Sequence, residues 1–286
     1  MRDIILNPYT WIAVLSIFIV IFVVLSLVIG RDMNKVVRNK TYMSNFVDIG
    51  VAQYIGTREK QDDSFQTHTN QAGTFAIVAD GIGGFMDGDV ASRIAVDTFV
   101  ENFKSTNITN NINYFFSSSA ILANERIRKQ FGDKMCGTTL VTTFISNNKL
   151  YYMSIGDSII SVFRNGRLIP INTKQNVESY LEELYMSGKI TREQALGSSK
   201  NRRLMNYVGH DGFSAPDKFE KPVDLRVGDK VLLYSDGVEL LTQIEMENIL
   251  SGKYTAQQMA EIIMNTIVEK KARNKDNSTV VILDIH

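Results

Sequence analysis

The chain has 286 residues, of which 22% are charged and 44% hydrophobic, and its 31 basic residues balance its 31 acidic residues. This composition excludes a wholly disordered chain, and zero net charge argues against a nucleic-acid binder that works by bulk positive charge. A single cysteine, Cys136, excludes an intrachain disulfide and a cysteine-based zinc site, and three histidines are too few for a histidine-rich metal site.

One long uncharged run lies near the N-terminus. Residues 11–29 read WIAVLSIFIVIFVVLSLVI, which is apolar except for Ser16 and Ser26. As a helix, these 19 residues would be about 28 Å long, close to the thickness of the hydrocarbon core of a bilayer. The sequence therefore predicts a transmembrane helix at residues 11–29, after a short segment at residues 1–10.

Two alternatives to a transmembrane helix fit this run less well. A cleaved signal peptide would have a shorter apolar region, a more basic start than Arg2 offset by Asp3, and a small-residue cleavage site. A buried core helix is rarely so long and so free of charge at the very start of a chain.

The residues that follow the run indicate its orientation. Residues 30–45 contain four basic side chains before residue 41 and one acidic side chain, Asp32. Because positive residues accumulate on the cytoplasmic side of a span, we expect a single-pass protein of the cell membrane with its C-terminal part in the cytoplasm. Residues 30–45 would form a basic juxtamembrane linker.

Residues 46–286 show no internal boundary and are expected to form one domain. Asn147-Asn148 and Asn165-Gly166 are turn dipeptides between apolar runs, and the second is a hairpin signal. Consecutive strands joined in this way, with helices inserted, favour an α+β fold built on antiparallel sheets. The apolar runs predict strands at 74–79, 138–145, 149–154, 159–164, 231–234 and 279–284, and helical patterns occur at about 89–103, 117–130, 176–187, 191–195 and 255–271.

Acidic residues follow two of the predicted strands directly, in the pairs Asp80-Gly81 and Asp236-Gly237. Any single Asp-Gly pair is usually only a turn. If these aspartates converged with Asp276 and with the acidic pair at 62–63, however, they would repel one another strongly unless a cation were bound. An all-oxygen set suits Mg²⁺ or Mn²⁺, and two such ions can activate water and clamp a phosphoryl group. Arg58 could then contact the phosphate.

These residues resemble the metal-dependent type 2C (PPM-type) protein serine/threonine phosphatases in their bacterial form. The resemblance covers the chain from about residue 45 to its end, and its motifs occur in the family's order. Seven elements carry it: Arg58-x-x-Gln61-Asp62-Asp63, Asp80-Gly81-Ile82-Gly83-Gly84, Gly137-Thr138-Thr139, Gly156-Asp157-Ser158, a flap-like segment at 181–209, Ser235-Asp236-Gly237 and Lys275-Asp276-Asn277.

The resemblance implies a four-layer α-β-β-α sandwich of two antiparallel sheets flanked by helices, with two Mn²⁺ or Mg²⁺ ions in a cleft at one end. Asp80 would bridge both ions, and the Gly81 carbonyl would bind one of them. Asp236 and Asp276 would complete the shell of the other ion. A metal-activated water would hydrolyse phosphoserine or phosphothreonine without a covalent intermediate.

Further roles follow from the same resemblance. Asp62 and Asp63 would ligate the second ion directly or through water, and Asp157 matches a residue linked to a third, weaker metal site. Arg58 would hold the phosphate, which makes Arg58, Asp80 and Asp236 the predicted catalytic residues. The implied partners are phosphorylated serine and threonine proteins, an opposing kinase and a membrane, but no nucleic acid.

The chain departs from the family pattern at several positions near these motifs. Gln61 replaces the usual asparagine, and Asp62 replaces the usual glutamate. Ile82 stands where histidine or methionine is common, and Ile159 where arginine is frequent. None of these changes removes a predicted core metal ligand.

Two other functions remain as alternatives. A pseudophosphatase would bind phosphoproteins or act as a scaffold, although that function would fit the loss of metal ligands better than their presence. A dedicated phosphatase would act on a single regulatory phosphoserine protein. The sequence favours the active membrane-anchored phosphatase.

Overall fold

The described residues form two antiparallel sheets of seven strands each. The structure is a computed structural model that describes residues 47–286 and the backbone of 37–38 and 42–43. Within these ranges it does not describe residues 84–86, 106–107, 109–110, 133, 198–202 and 214–215, or the side chains of 196–197. The predicted segments at 1–10 and 11–29, and most of the predicted linker at 30–45, lie outside the described residues. No helix within the described ranges is long and apolar enough to cross a bilayer.

The first sheet contains the chain's last strand at its centre. Its members are β1 (Val37–Arg38), β2 (Tyr42–Met43), β3 (Val47–Tyr54), β9 (Ile159–Arg164), β10 (Arg167–Pro170), β13 (Lys230–Tyr234) and β14 (Ser278–Ile285). They follow the order β1-β3-β14-β13-β9-β10, and β2 also pairs with β3. Strands β13 and β14 are direct neighbours, with Tyr234 opposite Val280.

The second sheet contains β4 (Asp63–Asn70), β5 (Gly73–Ile82), β6 (Gly137–Thr138), β7 (Leu140–Ser146), β8 (Lys149–Ile155), β11 (Asp217–Lys218) and β12 (Val223–Asp224). Its order is β11-β8-β7-β5-β4, with β12 also paired to β8 and β6 to β5. Strands β4 and β5 are therefore neighbours at one edge of the sheet.

Helices cover the outer face of each sheet. The described helices are α1 (Gly88–Ser105), α2 (Ile112–Phe131), α3 (Val177–Met186), α4 (Arg192–Gly197), α5 (Gln243–Leu250) and α6 (Ala256–Glu269), with a 3₁₀-helix at Asp236–Leu240. One apolar core joins α1 and α2 to the second sheet, another joins α5 and α6 to the first sheet, and a third lies between the sheets. These three cores separate four layers, so the predicted α+β fold with two antiparallel sheets and flanking helices is confirmed.

The predicted turns and helices have clear local causes. Asn147 and Asn148 both have positive φ, at 51° and 55°, as the two-residue turn between β7 and β8 requires. Helix α2 begins earlier than the apolar pattern predicted because Asn111 caps it, its Oδ1 accepting a hydrogen bond from the Tyr114 N–H at 2.9 Å.

Candidate active site

Strands β4 and β5 bring Asp63 and Asp80 together. The two residues are cross-strand partners in the β4–β5 register. Next to them, the Gly81 N–H donates a hydrogen bond to the Asp62 carbonyl oxygen at 3.1 Å. A Cβ atom on Gly81 would lie 2.1 Å from the Gly88 carbonyl oxygen, so this close backbone contact requires glycine.

The first sheet contributes the other two predicted aspartates. Asp236 is the first residue of the 3₁₀-helix after β13, and Asp276 lies two residues before β14. Because β13 and β14 are antiparallel neighbours, the end of one strand lies beside the beginning of the other. Both carboxylates therefore reach the same end of the sandwich.

Asp63 links the two sheets. Its Oδ2 accepts hydrogen bonds from Ser235 Oγ and Thr279 Oγ1, both at 2.7 Å. The pKa of Asp63 is raised to about 7, mainly by burial and in addition by the charges of Asp236 and Asp276, while the two hydroxyl donors oppose the shift. Its Oδ1 is buried and has no hydrogen-bond partner among the described residues.

Asp80 lies at the electrostatic centre of the acidic group. Burial raises its pKa well above the ordinary value, and the charges of Asp63, Asp236, Asp157 and Asp276 raise it further, in that order of size. These carboxylates are thus close enough for their charges to affect the pKa of Asp80. The structure brings together the predicted residues from both sheets into one acidic cluster.

Two threonines hold the backbone of Asp80 in place. The Asp80 N–H donates to Thr139 Oγ1 at 3.1 Å, and the Asp80 carbonyl oxygen accepts from Thr138 Oγ1 at 2.9 Å and from the Thr139 N–H at 2.8 Å. Both threonines belong to the Gly-Thr-Thr motif recognised in the sequence, and the structure gives that motif a positioning role.

Arg58 lies at the entrance to the cluster and is paired with one of its members. Its Nη2 lies 2.7 Å from Asp276 Oδ2, and this hydrogen bond is the main reason that the pKa of Arg58 is raised. Arg58 and Asp276 line a cleft of about 590 Å³ together with Asp236, Gly237 and Lys275. Arg58, the residue predicted to bind the phosphate, therefore faces the cleft, but its guanidinium is paired with Asp276, a predicted metal ligand.

The adjacent acids Asp62 and Asp63 have different surroundings. Asp63 is buried in the cluster, whereas Asp62 is half-buried beside the first turn of α1. Burial and the charge of Asp89 raise the pKa of Asp62, while a hydrogen bond from the Asp89 backbone N–H lowers it. Of this acidic pair, Asp63 is therefore the residue that lies among the other aspartates.

Asp157 is one of the four aspartates whose charges raise the pKa of Asp80. It is buried, and its Oδ2 accepts a hydrogen bond from Asn176 Nδ2 at 3.3 Å. Burial raises its pKa, the nearby ammonium of Lys174 opposes the increase, and Glu239 adds to it. Lys174 and Glu239 form an ion pair with each other.

Asn277 is a positioning residue whose contacts the sequence did not predict. Its Oδ1 accepts from the Asp62 N–H at 2.8 Å, and its Nδ2 donates to the carbonyl oxygens of Ile55 and Lys60 at 2.8 and 2.9 Å. The side chain therefore fixes the loop that carries Arg58 and Asp62. Its place directly after Asp276 in a recognised motif was the only available signal.

The cluster fits a divalent cation in its chemistry. It is an all-oxygen set, and the buried unpaired Oδ1 of Asp63 is an acceptor that a cation could satisfy. Within the described ranges, no group of three or more His, Cys, Asp or Glu side chains is placed closely enough to hold a metal ion.

A family comparison decides the class of protein. The sequence model of the family described as Protein phosphatase 2C matches residues 52–276. The chain belongs to the protein phosphatase 2C family. Enzymes of this family are serine/threonine phosphatases that use two Mn²⁺ or Mg²⁺ ions, so the chain is a phosphomonoester hydrolase, and the predicted family and enzyme class are confirmed.

Similar proteins support this membership. The chain is 28% identical over 231 residues to the serine/threonine phosphatase stp of Listeria welshimeri, covering 77% of this chain and 87% of that protein. It is 26% identical over 248 residues to the protein phosphatase PhpP of Streptococcus pneumoniae, covering 84% and 98%.

Solved structures of low sequence identity share the fold. The S. agalactiae serine/threonine phosphatase superposes with a TM-score of 0.75 at 22% identity, covering 84% of this chain and 100% of that one. The catalytic domain of the serine/threonine protein phosphatase PstP, in complex with two manganese ions, gives a TM-score of 0.69 at 23% identity, with 84% and 98% covered.

Proposed function

We propose that this chain is a membrane-anchored serine/threonine phosphatase whose catalytic domain faces the cytoplasm and whose acidic cluster holds two Mn²⁺ or Mg²⁺ ions. The main support is the convergence of Asp63 and Asp80 from one sheet with Asp236 and Asp276 from the other. Such a convergence of like charges around the buried Asp63 is unfavourable by itself and is stabilised by bound cations.

The ligand roles assigned to these residues follow the family resemblance. Asp80 would be shared by the two ions, the Gly81 carbonyl would contact one of them, and Asp236 and Asp276 would hold the other. Asp63 offers its unpaired Oδ1 directly or through water. When bound, the ions supply a nucleophilic hydroxide at neutral pH and stabilise charge on the phosphoryl oxygens.

Asp62 would act together with Asp63 on the second ion, directly or through water, while Asp157 would belong to a third, weaker site. The ammonium of Lys174 lies close enough to Asp157 to oppose the rise in the pKa of Asp157.

Arg58 binds the phosphate of the substrate in this proposal. It must first exchange its carboxylate partner, Asp276, for the phosphate. Both side chains are about half exposed, at 59% and 43%, and an ion pair of that exposure contributes little to stability. The exchange is therefore inexpensive, and the planar guanidinium can then form two parallel hydrogen bonds to phosphate oxygens.

The membrane part of the proposal rests on residues 11–29 and on the basic residues that follow them. With the anchor in the membrane, the substrates would be phosphoproteins within reach of the cytoplasmic face, phosphorylated by an opposing serine/threonine kinase. A C-terminal reporter that is active only outside the cytoplasm would contradict the proposed topology.

Two other functions are alternatives to a general phosphatase. One is a scaffold that only binds phosphoproteins, and the other is an enzyme dedicated to one regulatory phosphoserine protein. The test is hydrolysis of p-nitrophenyl phosphate and of phosphoserine and phosphothreonine peptides by the purified full chain with Mn²⁺. We expect turnover that EDTA abolishes and that Asp236→Asn reduces by about 10²-fold or more. Asp224→Asn is the matched control because Asp224 is an exposed aspartate on β12 that pairs with Lys149.

The possible outcomes of this test separate the three functions. Manganese-dependent turnover of several unrelated phosphopeptides supports the general phosphatase. Turnover of p-nitrophenyl phosphate with no turnover of generic peptides favours the dedicated enzyme, and no turnover of any substrate favours the scaffold. Full activity of Asp236→Asn would contradict the metal assignment.

A further inference from the structure

A second cavity lies beside the candidate active-site cleft. It has a volume of about 260 Å³ and lies between β9, β10, β13, the 3₁₀-helix and α5. Its lining includes four apolar side chains that are at most 4% exposed, namely Ile159, Leu168, Leu241 and Met246. Tyr234, Pro170 and Asn172 also line the cavity.

The cavity and the cleft are immediate neighbours. Glu239 lines both of them. Two wall residues also lie two positions from members of the acidic cluster, since Ile159 follows Asp157 and Tyr234 precedes Asp236. A molecule seated in the cleft could therefore extend directly into the cavity.

The size and lining of the cavity restrict its occupant. Sites for drug-sized ligands and cofactors usually enclose about 300–1,000 Å³, so this cavity is small for such a molecule and suits one side chain. Its deep wall is apolar, while Lys174, Glu239 and Gln243 supply polar groups. An apolar side chain attached to a polar backbone matches this distribution.

The adjacent cleft indicates where that side chain comes from. If the cleft receives a phosphorylated serine or threonine, the same polypeptide continues on both sides of it. An extended chain advances by about 3.3 Å per residue, so a residue a few positions from the phosphorylated one can reach a neighbouring pocket.

We propose that this cavity is a specificity subsite that binds an apolar side chain of the substrate protein close in sequence to its phosphorylated residue. The inference rests on the proposed phosphatase function and adds a sequence preference to it. Ile159 contributes to that preference because it keeps this part of the wall apolar. A charged side chain at the same position would make the cavity unfavourable for an apolar group.

The first test is a peptide scan with the wild-type full chain and Mn²⁺. In a phosphothreonine peptide of otherwise small polar residues, leucine is placed at each position from four before to four after the phosphothreonine. We expect one or two positions at which leucine raises kcat/KM by about tenfold over alanine. Equal kcat/KM for all positions would overturn the subsite.

Pocket variants then test whether the preference arises in this cavity. Ile159→Phe and Leu241→Phe fill it, and each should bring the leucine-to-alanine ratio of kcat/KM close to one. Leu241→Ala enlarges it and should shift the preference from leucine to phenylalanine. The matched control is Ile244→Phe on α5, whose side chain is 69% exposed and outside the cavity, and it should keep the wild-type ratio.

The leucine-to-alanine ratio of kcat/KM is measured within each variant, so a general loss of activity cannot be mistaken for a loss of the preference. A preference that persists in both filled variants would place it elsewhere and overturn the inference. Absence of turnover of p-nitrophenyl phosphate and of every peptide would instead contradict the proposed function, and the subsite with it.

Discussion

At the scale of single residues, Asp63 is held in surroundings that favour its protonated form. An aspartate in an unfolded chain has a pKa of about 3.9, whereas burial raises the pKa of folded Asp63 to about 7. Between these values the folded metal-free chain retains a proton that the unfolded chain has lost. The stabilisation that comes from this tighter proton binding by Asp63 is thus complete below about pH 4 and is lost as the pH rises through about 7.

In EDTA, we therefore expect the unfolding free energy to fall as the pH rises from 4.5 to 7.5, by at most about 4 kcal/mol from this residue. Asp63→Asn should reduce that slope, because an amide does not ionise. Urea unfolding at several pH values measures it, with Asp224→Asn as the control. An unchanged slope in Asp63→Asn would contradict the assignment of the shift to Asp63.

Asn277 illustrates a second kind of residue, one that positions others without touching the reaction. Asn277→Ala would leave the Ile55 and Lys60 carbonyl oxygens and the Asp62 N–H without their present partner. We expect a loss of about 2–4 kcal/mol in unfolding free energy and a lower kcat/KM, measured by urea unfolding and peptide hydrolysis. Asn265→Ala, on the exposed face of α6, should change neither.

At the scale of secondary-structure elements, the contact between β3 and α6 depends on Gly50. A Cβ atom there would lie 2.1 Å from the carbonyl group of Ala256, the first residue of α6. Gly50→Ala should therefore separate the helix from the sheet and cost about 3 kcal/mol or more.

Gly132→Ala provides the comparison for Gly50→Ala. Its backbone, with φ +61° and ψ −129°, lies in a region that residues other than glycine rarely adopt, but a Cβ atom meets nothing within 4 Å, so only backbone strain of about 1–3 kcal/mol is expected. Thermal unfolding of the two variants measures the difference, and equal losses would show that the close approach at Gly50 is unimportant.

Two strands that the sequence analysis did not predict, β3 and β4, lack a sustained apolar pattern. Strand β3 is buried along its whole length yet contains Asp48, Gly50 and Gln53, and β4 is mostly polar, so neither shows a clear apolar period. Their strand form depends on tertiary partners, such as the eight-residue pairing of β3 with β14. Strands and helices with a strong local pattern, such as α6 and β14, were predicted well because their sequence alone specifies their form.

At the scale of the whole molecule, the site is assembled from both sheets. The sequence indicated each acidic residue by its local motif, and the family resemblance implied that they converge. Neither the motifs nor the resemblance could predict that Asp63 would accept hydrogen bonds from Ser235 and Thr279 of the opposite sheet, or that Arg58 would pair with Asp276. Those contacts depend on how the two sheets pack, which no local pattern specifies.

This arrangement makes metal binding a property of the whole fold. Since the proposed ions take ligands from both sheets, binding them should stabilise the folded chain by RT ln(1 + [metal]/Kd), about 2.7 kcal/mol at a hundredfold excess over Kd. For a domain of this size that corresponds to a rise of roughly 5–10 °C in Tm. Asp63→Asn and Asp236→Asn, one from each sheet, should both reduce the rise measured by calorimetry with Mn²⁺, whereas Asp224→Asn should keep it. A full rise in either cluster variant would show that the metal binds without that sheet.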